Sequence, residues 1–317
     1  MESGMISFEQ VVAIGCGLDV HKNSVVATIG GIGVDEETRT FGTFTDTLEQ
    51  LDSWLKQAGV THVAMESTSV YWKPVYNILE ADFEILLVNA QHVKNVPGRK
   101  TDKADSRWLT KLLLSGLLKG SFIPPCDIRE MRDLFRYRKK LTAQIVAEKN
   151  RFQKILEDAN IKLGSVISDV FGASGKAITN AIIGGQTDAT KLASLANYSI
   201  RASKETLRQS LQGKITGHHR FMLSTIRKSI ANTENLIVDI EKSIDEHVQQ
   251  YSTEMDLLQT VPGVGKQSAA AIISEIGTQM DAFPSAQHLA SWAGISPGNN
   301  ESAGKKKVDE LPKATPI

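Results

Sequence analysis

The sequence predicts an N-terminal α/β domain, then a long helical arm, then a small helical C-terminal region. Three observations carry that prediction. Over roughly the first 120 residues, short apolar runs rich in β-branched residues alternate with helical patterns, as in one domain of ordinary size. Residues 127–159 and 218–251 are long stretches of helical period without a breaker. Near the end, Val261-Pro262-Gly263-Val264-Gly265 separates two further helical patterns.

Taken in order, residues 11–19 (Val-Val-Ala-Ile-Gly-Cys-Gly-Leu-Asp) read as a buried strand ending on the carboxylate of Asp19. Residues 23–29 read as a second strand. Residues 38–44 read as a third, after the turn-prone Gly30-Gly31-Ile32-Gly33. Leu48, Leu51, Trp54 and Leu55 fall on one side of a helix over 46–58. Residues 61–66 form another short strand, again ending on a carboxylate, Glu66. A helix over 71–79 and a strand over 84–88 follow. Then comes the basic stretch 94–107, in which Asp102 is placed to cap a helix running on through 108–118, with Asp105 on the same face one turn later. Lys94, Arg99, Lys100, Lys103 and Arg107 surround the two acids. Such a mixture suits a place where hard cations meet phosphodiester oxygens, and it equally suits a capped helix with surface ion pairs.

After Pro124-Pro125 the texture becomes helical. The helix over 127–159 buries Met131, Leu134, Leu141, Ile145, Phe152, Ile155 and Leu156, while its other face carries an excess of base that includes Arg136, Arg138, Lys139 and Lys140. That face reads either as a phosphate rail or as the solvated side of a coiled coil. Residues 162–212 read as shorter helices broken at glycines, and 218–251 as a second long helix. Two long helices bracketing a small insertion suggest an antiparallel coiled arm or an oligomerisation element. The segment 255–273 has the pattern of a helix-hairpin-helix, in which the amides at Gly263 and Gly265, with Lys266, can meet a nucleic-acid phosphate. It is not a Walker loop, because Gln267 follows the lysine. A short helix then leads into the polar, basic loop ending Glu301-Ser302-Ala303-Gly304-Lys305-Lys306-Lys307.

Bulk properties bound the function. A chain of 317 residues, 41% hydrophobic and 23% charged, is that of a globular protein of two or three domains. The expected boundaries are 1–124, 125–251 and 252–307, with 308–317 as a tail. No apolar run reaches the roughly 18 residues of a membrane span, and the start has no basic n-region, so a cytoplasmic protein without a membrane partner is expected. Cys16 and Cys126 give neither a zinc pattern nor a disulfide framework. Net charge is zero, so any nucleic-acid contact must come from the distribution of charge.

Asp19 and Glu66 each end a strand, and Asp102 and Asp105 open a helix. In an RNase H-type sheet the first strand lies beside the fourth and a later helix lays acids over them, so the four could meet. Clustered carboxylates repel unless a divalent cation neutralises them. An all-oxygen set favours Mg²⁺ or Mn²⁺ over zinc, and two such ions roughly 4 Å apart suit phosphoryl transfer. His21 reads as a hairpin or substrate-facing side chain rather than a ligand.

Leu-Asp-Val-His-Lys at 18–22, Met-Glu-Ser-Thr at 65–68, Lys-Thr-Asp-Lys-Ala-Asp at 100–105, Val-Pro-Gly-Val-Gly at 261–265 and the run 294–304 resemble the DEDD transposases of the IS-one-ten insertion-sequence family, most closely its eleven-eleven subgroup. The resemblance spans residues 11 to 307. It implies an RNase H-like (RuvC-like) N-terminal domain with acids Asp19, Glu66, Asp102 and Asp105, a coiled-coil middle, and a C-terminal domain whose serine nucleophile is Ser302. It further implies DNA as substrate, a structured guide RNA encoded in the element, and a homo-oligomer, dimer or tetramer. Lys305 and Lys306 would flank the scissile phosphate. The last ten residues depart from the family pattern and read as an unrelated or truncated tail, so weakened or absent strand exchange is expected of this chain. Two other readings are a RuvC-like nuclease using water, and an inactive nucleic-acid-binding relic. A sugar-kinase-like ATPase is disfavoured by the lack of a second glycine-rich phosphate loop.

Overall fold

The computed structural model describes residues 11–67, 69–90, 93, 105–198 and 200–295, and the backbone of 301–302 and 305–306. Two compact units emerge, residues 1–123 with 281–317, and residues 124–280.

In the first unit, β1 (Ile14–Val20), β2 (Ser24–Gly31) and β3 (Val34–Gly42) form an antiparallel meander. α1 (Thr45–Gln57), β4 (His62–Glu66), α2 (Trp72–Leu79) and β5 (Glu84–Val88) follow. The sheet order is β3-β2-β1-β4-β5, with β1, β4 and β5 parallel to one another. β3 begins earlier than the expected residue 38, because the turn is the tight Ile32-Gly33 pair, with Gly33 at φ +75°. Its acidic run Asp35-Glu36-Glu37 sits on an exposed sheet edge, where charge is tolerated and discourages pairing with another chain.

Strand alternation divides the sheet into two faces. Cys16, Leu18, Ala27, Ile29, Val63, Met65 and Leu87 point to one side, where they share a core with Leu48, Leu51 and Leu55 of α1 and Val75 and Leu79 of α2. Each fully buried leucine there contributes about 1.5–3 kcal/mol. On the other side lies α3 (Asp105–Leu114), whose Leu109 and Leu112 pack with Val88 and Val93. Gly116, at φ +64°, follows the end of α3. The returning chain at Gly120 and Ser121 then bonds to the end of β5. Phe122 meets Phe283 and Trp292 in an aromatic trio with centroids 5.0–6.1 Å apart, which ties the C-terminal segment to this unit.

The second unit contains α4 (Cys126–Asp158), the short helices α5 (Leu163–Val166), α6 (Ala173–Ile183), α7 (Ala189–Ser194) and α8 (Lys204–Ser210), and then α9 (Gly217–Val248). α4 and α9 run antiparallel, since Asp158 meets His219 at one end while Arg138, earlier on α4, meets Glu241, later on α9. At about 1.5 Å per residue each is close to 50 Å long. The short helices close a core around Phe152, Leu156, Leu223 and Ile226 at that end. At the other end, α10 (Ser252–Gln259) and α11 (Lys266–Ile276) share a core with Ile128, Met131, Ile244 and Val248. The hairpin of helices is therefore built on the base of the arm. Beyond it, α12 (Ala286–Trp292) and the two-stranded β6 (Glu301–Ser302) and β7 (Lys305–Lys306) belong to the first unit. Among the described residues no helix is long and apolar enough to cross a membrane.

Candidate active site

Asp19 lies one residue short of the end of β1 and Glu66 is the last residue of β4. These strands are parallel neighbours in the register Gly17↔Ala64, Leu18↔Met65, and Asp19 and Glu66 are the residues that follow this last pair on the two strands. Both side chains follow the alternation of Gly17 and Ala64 and point to the α3 side. Both are half-buried. From here β1 connects to β2 on one flank, while β4 connects through α2 to β5 on the other. Asp19 and Glu66 thus sit where the chain diverges, the position at which open α/β sheets hold ligands.

Asp105 opens α3 on the same side, also half-buried. Its neighbour Ser106 lies against Gly17, two residues from Asp19. The structure thus brings Asp19, Glu66 and Asp105 to one region of one sheet face. Asp102 lies outside the described residues, as do Lys100 and Lys103. Among the described residues no group of three His, Cys, Asp or Glu side chains is close enough to hold a metal ion. Carboxylate oxygens are the donor type that a hard divalent cation takes, so in kind, though not in spacing, these side chains suit the ion that the sequence implies. His21, exposed in the β1–β2 turn, lies with its Nε2 3.0 Å from Oδ2 of Asp19.

The close seat of α3 has a local cause. Gly15, Gly17 and Gly30 present no side chain to it, and a Cβ on Gly17 would stand 2.3 Å from the Ser106 carbonyl oxygen and 2.6 Å from the Thr110 amide nitrogen. In the gap, Gly17 N–H donates to Thr110 Oγ1 (2.9 Å), whose proton faces the carbonyl oxygens of Thr28 and Ser106, each at 2.8 Å. Ser106 Oγ lies 2.8 Å from Thr28 Oγ1, and that hydroxyl lies 2.9 Å from Thr38 Oγ1. Thr28, Ser106 and Thr110 are buried, and sequence reasoning did not single them out. The available signal was glycine at alternate positions of a strand, which marks a close approach of another backbone.

At the C-terminal end, Ser302 pairs across the hairpin with Lys305, and Glu301 with Lys306. A family model described as Transposase, of the DEDD IS110 type, matches residues 16–161, and one described as Transposase IS116/IS110/IS902 family matches residues 255–315. This chain carries an IS110-family transposase domain. No curated protein matches it. The first match takes in Asp19, Glu66, Asp102 and Asp105. The second takes in Ser302 and extends to residue 315, into the segment 308–317 expected to be an unrelated or truncated tail. At the level of the family, this homology supports a DNA-acting, enzymatic function.

The chain's basic residues have mixed fates. Arg107 pairs with Glu36 (3.2 Å) on the exposed edge strand, a bond that a phosphate can replace at little cost. Arg136 bonds Glu275, and Arg138 bonds Glu241, so two members of the expected rail brace helices against one another. Arg132, buried, donates to the carbonyl oxygens of Ser274 and Glu275 in the last turn of α11. Burial lowers the pKa of its guanidinium, opposed by Glu275. Lys139 and Lys140 remain exposed on α4. In the helix hairpin, Pro262 and Gly263 occupy the centre of a turn closed by Val264 N–H to the Val261 carbonyl (3.0 Å). Gly263 is at φ +88°, as the third residue of a type II turn requires. Gly265 caps α11, and Lys266 pairs with Asp245 at 2.8 Å.

Proposed function

We propose that this chain is the DNA transposase, or site-specific recombinase, of an insertion sequence, with a RuvC-like acid site and a serine nucleophile. The observation that carries the reading is that Asp19 and Glu66 each follow the last register pair, Leu18↔Met65, at the diverging ends of two parallel strands, with Asp105 opening the helix on the same sheet face. Asp19, Glu66 and Asp105, joined by Asp102, would hold Mg²⁺ or Mn²⁺. A bound divalent ion would supply charge stabilisation at the phosphorus.

The chain's own residues do the rest. Ser302 Oγ would form the bond to phosphorus as the bridging ester oxygen leaves with a proton. The phosphoserine would keep the bond energy until a second strand's hydroxyl reverses the step. A serine hydroxyl is a weak nucleophile near neutral pH, which is why the acid site is needed beside it. Residues 281–317 belonging to the acid site's own compact unit supports that pairing. Lys305 and Lys306 would hold the scissile phosphate. Lys100, Lys103, Arg107, Lys139, Lys140 and the turn at Gly263–Lys266 would contact DNA or a structured guide RNA. The RNA and a dimeric or tetrameric assembly rest on the family resemblance.

The test is strand cleavage by the full chain on DNA carrying the element's ends, with its flanking RNA, followed by protein–DNA adduct analysis. A Mg²⁺-dependent adduct that disappears in Asp19→Asn, Glu66→Gln and Ser302→Ala supports the reading. Free 5′-phosphate ends with no adduct select a water-using nuclease instead. Binding without any cleavage by the folded protein selects a regulator or relic.

A further inference from the structure

Resting on that reading of the acid site, the geometry points to Thr110, Thr28 and Ser106 as positioning residues that fix Asp105 relative to Asp19. The interior offers an obvious alternative for all three positions, since an apolar helix face on an apolar strand is the ordinary way to join these layers. Here the contact is polar instead. Thr110 Oγ1 accepts from Gly17 N–H at 2.9 Å and faces the carbonyl oxygen of Thr28 at 2.8 Å. Gly17 and Thr28 are register partners across β1 and β2. One helix hydroxyl therefore bridges the main chains of two strands, at a point two residues before Asp19.

Apolar contacts slide, because they are non-directional. Hydrogen bonds of 2.8–2.9 Å fix a distance and an angle, and inside a protein an unmade one is costly enough to prevent drift. The second link, Ser106 Oγ to Thr28 Oγ1 at 2.8 Å, lies one residue from Asp105. Both links hold the first two turns of α3, the part that carries the carboxylate, whereas Leu109 and Leu112 hold the helix by packing alone. Thr28 and Thr110 are at most 2% exposed and Ser106 is 4% exposed, so none of the three touches substrate. Their effect passes through Asp105 and Asp19.

The experiment uses the full chain and Mn²⁺ alone, with free Mn²⁺ read by electron paramagnetic resonance, beside circular dichroism and thermal melting. Asp19→Asn is the control for the site itself. Thr110→Val, which keeps shape and removes the hydroxyl, is expected to weaken Mn²⁺ binding at least tenfold with an unchanged circular dichroism spectrum, and Thr110→Ser to restore it. If Thr110→Val does not fold, Ser106→Ala, which leaves the bridge to Gly17 in place, carries the test with the same expected direction. Wild-type affinity in a folded Thr110→Val or Ser106→Ala protein, while Asp19→Asn loses binding, overturns the positioning role and leaves the acid site standing. Equal binding by wild type and Asp19→Asn overturns the acid site, and the positioning role with it.

Discussion

Replacing Gly17 by alanine adds one methyl group at the tightest contact between sheet and helix. The new Cβ would lie 2.3 Å from the Ser106 carbonyl oxygen, 2.6 Å from the Thr110 nitrogen and 2.8 Å from Leu109 Cβ. The first two are main-chain atoms, so no side chain can swing away. To regain ordinary contact near 3.4 Å, α3 must withdraw by roughly 1 Å. Overpacking of this kind costs about 1–3 kcal/mol. The same withdrawal stretches the bond from Gly17 N–H to Thr110 Oγ1, and a buried donor left unmade costs about 1–3 kcal/mol more. The sum is a sizeable part of the roughly 5–15 kcal/mol that holds a domain folded. Urea unfolding of Gly17→Ala is expected to show a loss of about 2–5 kcal/mol at unchanged slope. Because Asp105 moves with the helix, DNA cleavage by the protein that remains folded is expected to fall on the order of 100-fold. Gly217→Ala is the control, since nothing lies within 4 Å of a Cβ there, and it is expected to be near neutral. A Gly17→Ala protein as stable and as active as wild type would refute the claim that α3 is seated directly on the β1 main chain.

Arg132→Met should lower stability by about 1–3 kcal/mol in the same unfolding assay, because the last carbonyls of α11 lose their buried donor. No loss there would mean that Arg136 alone secures Glu275. Exchanging Lys139 and Lys140 together for glutamate should weaken binding of DNA or RNA across all sequences and lower the slope of log affinity against log salt by about 2 units. An unchanged slope would remove both lysines from the interface. Ser302→Ala should lose the covalent adduct while retaining DNA binding in a gel-shift assay. Persistence of the adduct would move the nucleophile elsewhere.

Much of the first unit was legible because its strands are short apolar runs, two of which, at 11–19 and 61–66, read as ending on the carboxylates of Asp19 and Glu66. The long helices were legible for the same reason, with Met131, Leu141, Ile145 and Phe152 at helical spacing. The third strand began earlier than expected because Asp35-Glu36-Glu37 carries no apolar signal on a solvent-facing edge. The hydroxyls of Thr28, Ser106 and Thr110 were invisible, since a buried threonine reads in sequence like any other until its partner 78 or 82 residues away is known. The basic face of α4 misled in part. Residue type gives charge, but only tertiary contact reveals that Arg132, Arg136 and Arg138 are committed to Glu275 and Glu241. The Phe122, Phe283 and Trp292 trio, which joins distant ends of the chain, had no sequence signature.

Crystals of the full chain soaked in Mn²⁺ and measured at the manganese edge put the acid site to its most direct trial. An anomalous peak is expected between the side chains of Asp19 and Glu66, with Asp105 turned toward it and oxygens at about 2.0–2.5 Å. Well-ordered carboxylates at all three positions, with no peak among them at saturating metal, would contradict it.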